Sequence, residues 1–440
     1  MKKKINHILP ALVLTASLGL TTVSCNGFLD EMPDNRTELN TDQKIAKLLV
    51  SAYADVSPNE LFELYSDNSD DSGPTYGYYK LSEQECYHWQ DTKEEYQDTP
   101  NSLWGGYYSA IAAANMALNA IEEKGNPASL DPQRGEALVC RAYCHFMLAN
   151  IFCNAYDTHA SQSLGVPYME EVETTVSPRY ERGTLEEVYR KVERDLLEGI
   201  DLISDDSYSV PKYHFTRKAA YAFAARFYLY YMKPDFSNCD RVIDFATRVL
   251  GTNPADLLRN WEALGNLSVN GNVQADAYIA SSNEANLLIS STVSNWGAIG
   301  SDYLIGPRYF HNQTLATSET CLSSGLWGSS DYFYLKPFST NGFVASILRK
   351  SGLYEGTYLY YMPVLFSTDE TLLCRAEAYA LKKMYAQSAA DITSWQRAYT
   401  RNKSVLTPEQ INTYYDRMSF YTPFTQQTPK KKLAPDFTIE

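Results

Sequence analysis

The chain is 440 residues long, 44% hydrophobic and 21% charged, with a formal charge of −15. That composition excludes wholesale disorder, a collagen-like repeat and a small disulfide-stapled peptide, and it allows one large core or two smaller ones. The acid excess argues against a nucleic-acid binder, whose affinity rests on Lys and Arg neutralising phosphates. Tyrosine is the outlier, with 35 Tyr against 17 Phe and 6 Trp. A phenol ring carries apolar area and a hydroxyl that wants water or a partner, so many of these rings are expected at half-buried or exposed positions.

The N-terminus reads as a secretory signal over residues 1–24. Lys2, Lys3 and Lys4 precede an apolar Ile8–Leu20 run that is too short for a permanent membrane helix, which takes roughly 20 residues. Thr22-Val23-Ser24-Cys25 follows, and it is similar to a bacterial lipobox except that Thr22 stands where Leu is usual. Cys25 is therefore the expected lipid-attachment site, with an unmodified exported protein as the alternative. Removing the signal takes three lysines and no acids, so the formal charge moves from −15 to −18. Lipid is the only anchor in view, and stable attachment needs more than one acyl chain.

Asn26–Asn40 is polar, and residues 25–40 are expected to form a tether. Ile45, Leu48, Leu49, Ala52, Tyr53 and Val56 then share one helical stripe, with Thr41 or Asp42 as the cap. Trp104, Tyr107, Tyr108, Ile111, Ala114, Leu118 and Ile121 share another, which ends before Gly125. Ala137, Cys140, Cys144, Met147, Leu148 and Ile151 share a third. Thr184-Leu-Glu-Glu187 is a capping box opening a helix whose Leu185, Val188, Val192, Leu196, Ile200 and Ile203 point inward. Thr216 starts an Ala-rich helix stopped by Pro234, Val242–Val249 gives a shorter one ended by Gly251, and Leu372, Leu373, Ala376 and Ala380 mark one more. The expected fold is mainly α, with tetratricopeptide-like helix pairs but no fixed 34-residue period.

Two stretches differ in character. Residues 57–104 hold eleven acids and two lysines among many aromatics, and residues 252–368 hold ten of the 22 glycines and three of the six tryptophans. Within the second, Asn286–Ser291 and Tyr358–Met362 read as extended pieces. The expected organisation is a single unit over 41–440, with a helical scaffold at 41–251 and 369–400 carrying loop-rich insertions at 57–104 and 252–368. Loops on a rigid scaffold are where binding function usually sits.

Five motifs stand in order along the chain: the lipobox followed by Phe28-Leu29-Asp30, Trp104-x-x-Tyr107-Tyr108-x-x-Ile111-x-x-x-Asn115, Glu136-Ala137-x-x-x-Arg141-Ala142-Tyr143-x-x-Phe146, Gly165-Val166-Pro167-Tyr168 and Arg375-Ala376-Glu377-Ala378-Tyr379. On these residues the chain resembles the SusD/RagB family of surface nutrient-binding lipoproteins of Bacteroidetes. Membership implies a helical SusD-like fold, a lipid-anchored position on the outer membrane facing the medium, and capture of oligo- or polysaccharide for a SusC-like TonB-dependent transporter. Asp30-Glu31 is similar to the surface-export signal of such lipoproteins. Members commonly close with a further helical and Pro-rich segment, which the residues up to Glu440 do not match.

Sugar binding needs flat aromatic faces and hydrogen-bonding side chains. Trp89 in His88-Trp-Gln-Asp91 is the leading candidate, followed by Trp296 and Trp327, with Tyr76, Tyr78, Tyr79 and Tyr303 completing a platform. Trp104 and Trp261 are assigned to the core. Arg141 and Glu377 read as inward-facing charges that act as structural ion-pair or cap partners and not as catalysts, and Cys140 and Cys144 as small core residues. Asp67-Asn68-x-Asp70-Asp71 has oxygens compatible with calcium but lacks the glycine and terminal Glu of an EF-hand, so it reads as a solvated acidic turn. No cofactor or metal is expected. No GxSxG, HExxH, Walker or GxGxxG pattern appears, which favours a binding protein over an enzyme. The alternatives are a surface glycoside hydrolase, since 53 acids leave many spatial carboxylate pairs, and a helical scaffold that binds peptide or protein.

Overall fold

The computed structural model describes residues 39–66, 69–71, 73–74, 80–175, 178–268, 273–294, 308–310, 326, 332–335, 338–339, 342–343 and 360–416. The chain divides into two compact units, Met1–Thr41 and Asp42–Glu440, and every helix and strand described lies in the second.

Thirteen α-helices carry the architecture among the described residues. The long ones are α4 (Pro100–Glu123), α5 (Asp131–Phe152), α6 (Leu185–Leu202), α7 (Arg217–Tyr230), α8 (Asn238–Leu250), α11 (Thr368–Leu381) and α12 (Tyr385–Tyr399). They are joined in sequence by α1 (Asp42–Leu48), α2 (Asn59–Tyr65), α3 (Leu81–Tyr87), α9 (Trp261–Gly265), α10 (Val273–Ile279) and α13 (Pro408–Tyr415). α5 packs between α4 and α6, α7 pairs with α8, and α11 lies against both α8 and α12. Short connections between neighbours, such as the three residues between α11 and α12, give the helix-pair arrangement expected from the apolar stripes.

The local signals act where the sequence places them. Thr184 Oγ1 accepts from the Glu187 amide (3.2 Å) while the Thr184 amide donates to Glu187 Oε2 (2.9 Å), closing the capping box at the start of α6. Gly251, at φ +65°, ends α8. α5 is buried almost all round, from Gly135 to Ala149, so it forms the axis of the core. Gly135 and Gly199 let α5 and α6 touch backbone to backbone. A Cβ on either would stand 2.8 Å from the other's carbonyl oxygen.

Two buried arginines lock neighbouring helices by the same device. Arg141 Nε on α5 donates to Asp195 Oδ2 on α6 (2.6 Å), and its Nη1 donates to Asn115 Oδ1 on α4 (3.0 Å). Arg375 on α11 grips both carboxylate oxygens of Asp391 on α12 (2.8 and 2.9 Å) and the Gly251 carbonyl at the end of α8 (3.0 Å). The ion-pair reading of Arg141 therefore stands, but that of Glu377 does not. Glu377 is exposed, and Arg375, two residues earlier, takes the inward position of that motif. Cys140 and Cys144 are buried and free, and so are Cys86, Cys239 and Cys374.

The strands are short and lie in the two insertions or at their ends. β1 (Asp70–Asp71) pairs antiparallel with β4 (Tyr309–Phe310), with Asp70 opposite Phe310. β2 (Asn286–Ile289) pairs with β8 (Val364–Ser367), β3 (Thr292–Val293) with β7 (Tyr360–Tyr361), and β5 (Phe338–Ser339) with β6 (Gly342–Phe343). β8 leads straight into α11 and β2 lies alongside it, so the second insertion is stitched to the scaffold at its root. The 57–104 stretch, expected as loop, contains α2 and α3. Seven-residue helices are too short to show a period, which is why the sequence did not reveal them. Trp261 is in the core as expected, donating its indole N–H to Asp369 Oδ1 (2.7 Å).

A candidate glycan-binding groove

α3 ends in an unusual residue. The Trp89 amide bonds the Cys86 carbonyl (2.9 Å) and the Gln90 amide bonds the Glu85 carbonyl (2.8 Å), so the helix closes in the two-bond motif that normally places glycine at its left-handed position. Here that position holds Trp89 at φ +56°. A Cβ in this region costs about 1–2 kcal/mol, and such strain concentrates at functional positions. The left-handed turn throws the indole outward, where one face stacks on Tyr65 (centroids 4.6 Å apart, 18° between planes). Trp89 remains 73% exposed, the highest exposure among the large apolar side chains described, so its second face is open to solvent.

Beside this pair is an open groove of about 540 Å³ lined by Tyr65 and Leu61 of α2, Gln90, Asp91 and Thr92 after Trp89, Asn101 and Trp104 of α4, and Phe152 at the end of α5. Trp104 is the clearest correction to the sequence reading. Leu103, fully buried, takes the inward position, and Trp104, one residue and about 100° further round the helix, is 37% exposed. Its ring packs edge-on against Phe152 (5.0 Å) and tilted on Tyr108 (4.9 Å). The groove thus offers one exposed indole, Trp104, and the Tyr65 phenol that carries the Trp89 ring beside it, with an amide, a carboxylate and a hydroxyl after Trp89 and a second amide at Asn101. That is the chemistry of a sugar platform.

A polar network beneath sets the positions of these walls. The Tyr96 hydroxyl donates to Glu60 Oε1 of α2 (3.1 Å) and receives the Ser82 hydroxyl of α3 (3.1 Å), with the Lys80 ammonium 3.8 Å above the Tyr96 ring. Glu85 accepts the Lys93 amide (3.0 Å) and the Ser82 amide donates to Glu94 (3.2 Å). Burial pushes the Glu60 carboxyl well above the usual carboxylate range, and the Asp98 and Glu83 carboxylates nearby push it further. α2, α3 and the 90–99 segment are held as one piece.

The second insertion reaches this piece through β4. Arg308 grips both oxygens of Asp71 (2.5 and 2.7 Å), and the Tyr309 ring packs on Tyr87 (4.7 Å) and on His88 (5.9 Å), the residue before Trp89. Asp70 and Asp71 are fully buried, so the solvated acidic turn expected there is instead a paired strand held by an arginine. The remaining glycan-binding candidates, Trp296, Trp327, Tyr76, Tyr78, Tyr79 and Tyr303, lie outside the described residues, and so does Cys25. Sequence reasoning missed Tyr65, Asn101 and Trp104. A stacked pair formed by residues 24 positions apart leaves no local pattern, and Trp104 was hidden by its helical spacing.

A SusD-like family model, described as starch-binding and associating with the outer membrane, matches residues 27–229. Solved structures match across most of the chain. A SusD superfamily protein from Bacteroides vulgatus aligns over 84% of this chain and 81% of its own at 19% identity, with a TM-score of 0.60. The chain has a SusD-like fold. A SusD-like carbohydrate-binding protein from Bacteroides vulgatus shares this SusD-like fold over 85% of this chain and 79% of its own, at 14% identity and a TM-score of 0.61. Surface glycan-binding protein A from Bacteroides uniformis does so over 85% and 84%, at 15% identity and a TM-score of 0.57. No curated protein matches the sequence.

Proposed function

We propose that this SusD-like chain is a lipid-anchored, non-catalytic glycan-binding protein of the outer-membrane surface that delivers oligo- or polysaccharide to a SusC-like TonB-dependent transporter. The observation that carries the reading is Trp89, held in a strained left-handed turn and stacked on Tyr65 so that an indole face stays in solvent beside the Trp104 groove. Strain and exposure of an indole both cost stability, and a ligand that stacks on the ring supplies the compensating gain. The relatives' descriptions as carbohydrate- and glycan-binding proteins support the ligand class, and the family's description supports the outer membrane.

In this reading Trp89, Tyr65 and Trp104 contact pyranose rings, while Gln90, Asp91 and Asn101 take hydroxyls. Trp296, Trp327, Tyr76, Tyr78, Tyr79 and Tyr303 extend the platform. Cys25 carries the lipid after residues 1–24 are removed, 25–40 is the tether, and the helical scaffold with its two insertions forms one binding unit. The direct test is affinity electrophoresis of the protein in gels containing starch and other neutral polysaccharides. Retardation by at least one of them is expected, with loss in Trp89→Ala and Trp104→Ala. Retardation unchanged in both variants refutes the groove assignment, and new reducing ends released by purified protein refute the non-catalytic assignment. Co-purification of a β-barrel transporter, and a diacyl or triacyl mass on Cys25, test the remainder.

A further inference from the structure

Behind the groove, on the far side of the same helices, is a more enclosed chamber of about 460 Å³. α2 presents Leu61 and Tyr65 to the groove but Asn59 and Phe62 to the chamber; α4 presents Trp104 to one and Tyr107 to the other. β3, β7 and the start of β8 form the opposite wall. A space of this size within a packed scaffold falls in the range of small-ligand sites, about 300–1,000 Å³, and an interior of native density leaves few such voids.

Its lining is aromatic but not dry. Tyr107 is 1% exposed and Ser290 is 6% exposed, yet neither hydroxyl has a hydrogen-bond partner among the described residues. Neither oxygen is among the fully buried unpartnered polar atoms, so both open onto the chamber and are free to bond a polar occupant there. Burial holds the Tyr107 hydroxyl well above its ordinary pKa, which keeps its proton available for donation. The two charged residues of the lining cancel each other. Arg226 is gripped at both nitrogens by Glu370 (2.5 and 2.6 Å), bonds the Leu365 carbonyl (2.5 Å) and stacks on Phe366 (4.0 Å). Among the described residues no charge in the wall is left to recognise an ion. Tyrosine faces, unpaired hydroxyls and a neutral wall suit an uncharged polyol ring.

We infer that this chamber is a second carbohydrate site, separate from the groove, that takes one neutral mono- or disaccharide with the Tyr107 and Ser290 hydroxyls as hydrogen-bonding partners. The inference stands on the chamber's own lining, and its failure would leave the groove intact. Titration calorimetry of the full-length protein with glucose, galactose, mannose, xylose, maltose and cellobiose is the test, with glycine and acetate as charged probes. At least one sugar is expected to bind at a stoichiometry of one. Tyr107→Phe is expected to weaken it by about tenfold and Ser290→Ala by several-fold, the worth of one hydrogen bond each. Trp89→Ala, which removes polysaccharide retardation, is expected to leave this small-sugar binding unchanged. The absence of binding by every sugar overturns the inference. So does binding that is lost in Trp89→Ala but retained in Tyr107→Phe and Ser290→Ala, or a Tyr107-dependent preference for glycine or acetate. Retained thermal midpoints in both chamber variants separate lost binding from lost folding.

Discussion

Replacing Trp89 by Ala and by Gly separates what the residue does for the fold from what it does for the ligand. Both substitutions remove the indole and its stack on Tyr65, which is worth about 0.5–1.5 kcal/mol. They differ at the backbone, because φ at this position is +56°. A Cβ in the left-handed region costs about 1–2 kcal/mol, whereas glycine's extra freedom in the unfolded chain takes back about 0.5–1 kcal/mol. Trp89→Gly is therefore expected to be more stable than Trp89→Ala by roughly 0.5–1 kcal/mol. At about 2.1 cal/mol/K per residue over roughly 400 residues, that separation is only about 1 °C in melting midpoint, so urea unfolding read by circular dichroism is the better assay. Polysaccharide retardation should be lost equally in the two variants. If Trp89→Ala proves as stable as Trp89→Gly, the strained turn is not there and the argument that the indole is held out for a ligand fails.

Further outcomes follow from the buried charges. Asp195→Ala should cost about 3–5 kcal/mol in denaturant unfolding, because it leaves the Arg141 guanidinium buried without its carboxylate and also removes the acceptor of the Tyr168 hydroxyl; a cost below 1 kcal/mol would refute the locking role. Glu60 has a folded pKa raised above its unfolded value, so it favours the fold fully below the ordinary Glu range of about 4.3 and loses that contribution as pH rises through the folded value. Glu60→Gln should therefore raise the melting midpoint at pH 8 and change it little at pH 4; a lower midpoint at pH 8 would contradict the network as drawn. His145 has the opposite sign. Burial pulls its pKa down to about 3, and its ring is fixed neutral, with Nε2 accepting the Met169 amide (2.9 Å) and Nδ1 facing the Arg141 carbonyl (2.9 Å). Stability should fall as pH drops from about 6.5, the unfolded value, towards 3, and a His145→Phe variant should lose that part of the acid slope even if it is less stable at neutral pH.

The strong helices and their class were legible in the chain because each signal is local. The stripe from Tyr107 to Ile121, the Thr184 capping box and Gly251 after α8 each need only neighbours within a few turns. α12 shows where that logic stops. Its inward residues include Ser388, Asp391, Thr393 and Gln396, so no apolar stripe marks it, and only the Arg375 pair across the interface makes Asp391 an interior residue. Asp70 and Asp71 are the same case, polar residues buried by a partner more than two hundred positions away.

The sequence by itself determined that the protein is mainly helical, rich in tyrosine, and furnished with a tryptophan, Trp89, in an acidic, polar stretch. Only the tertiary structure decided that Tyr65 lies under Trp89, that Trp104 faces solvent and Leu103 does not, and that a chamber with two unpaired hydroxyls lies behind them. Helical periodicity is set by backbone geometry within one segment, but which face meets a neighbour and which rings stack depends on where separate helices come to rest.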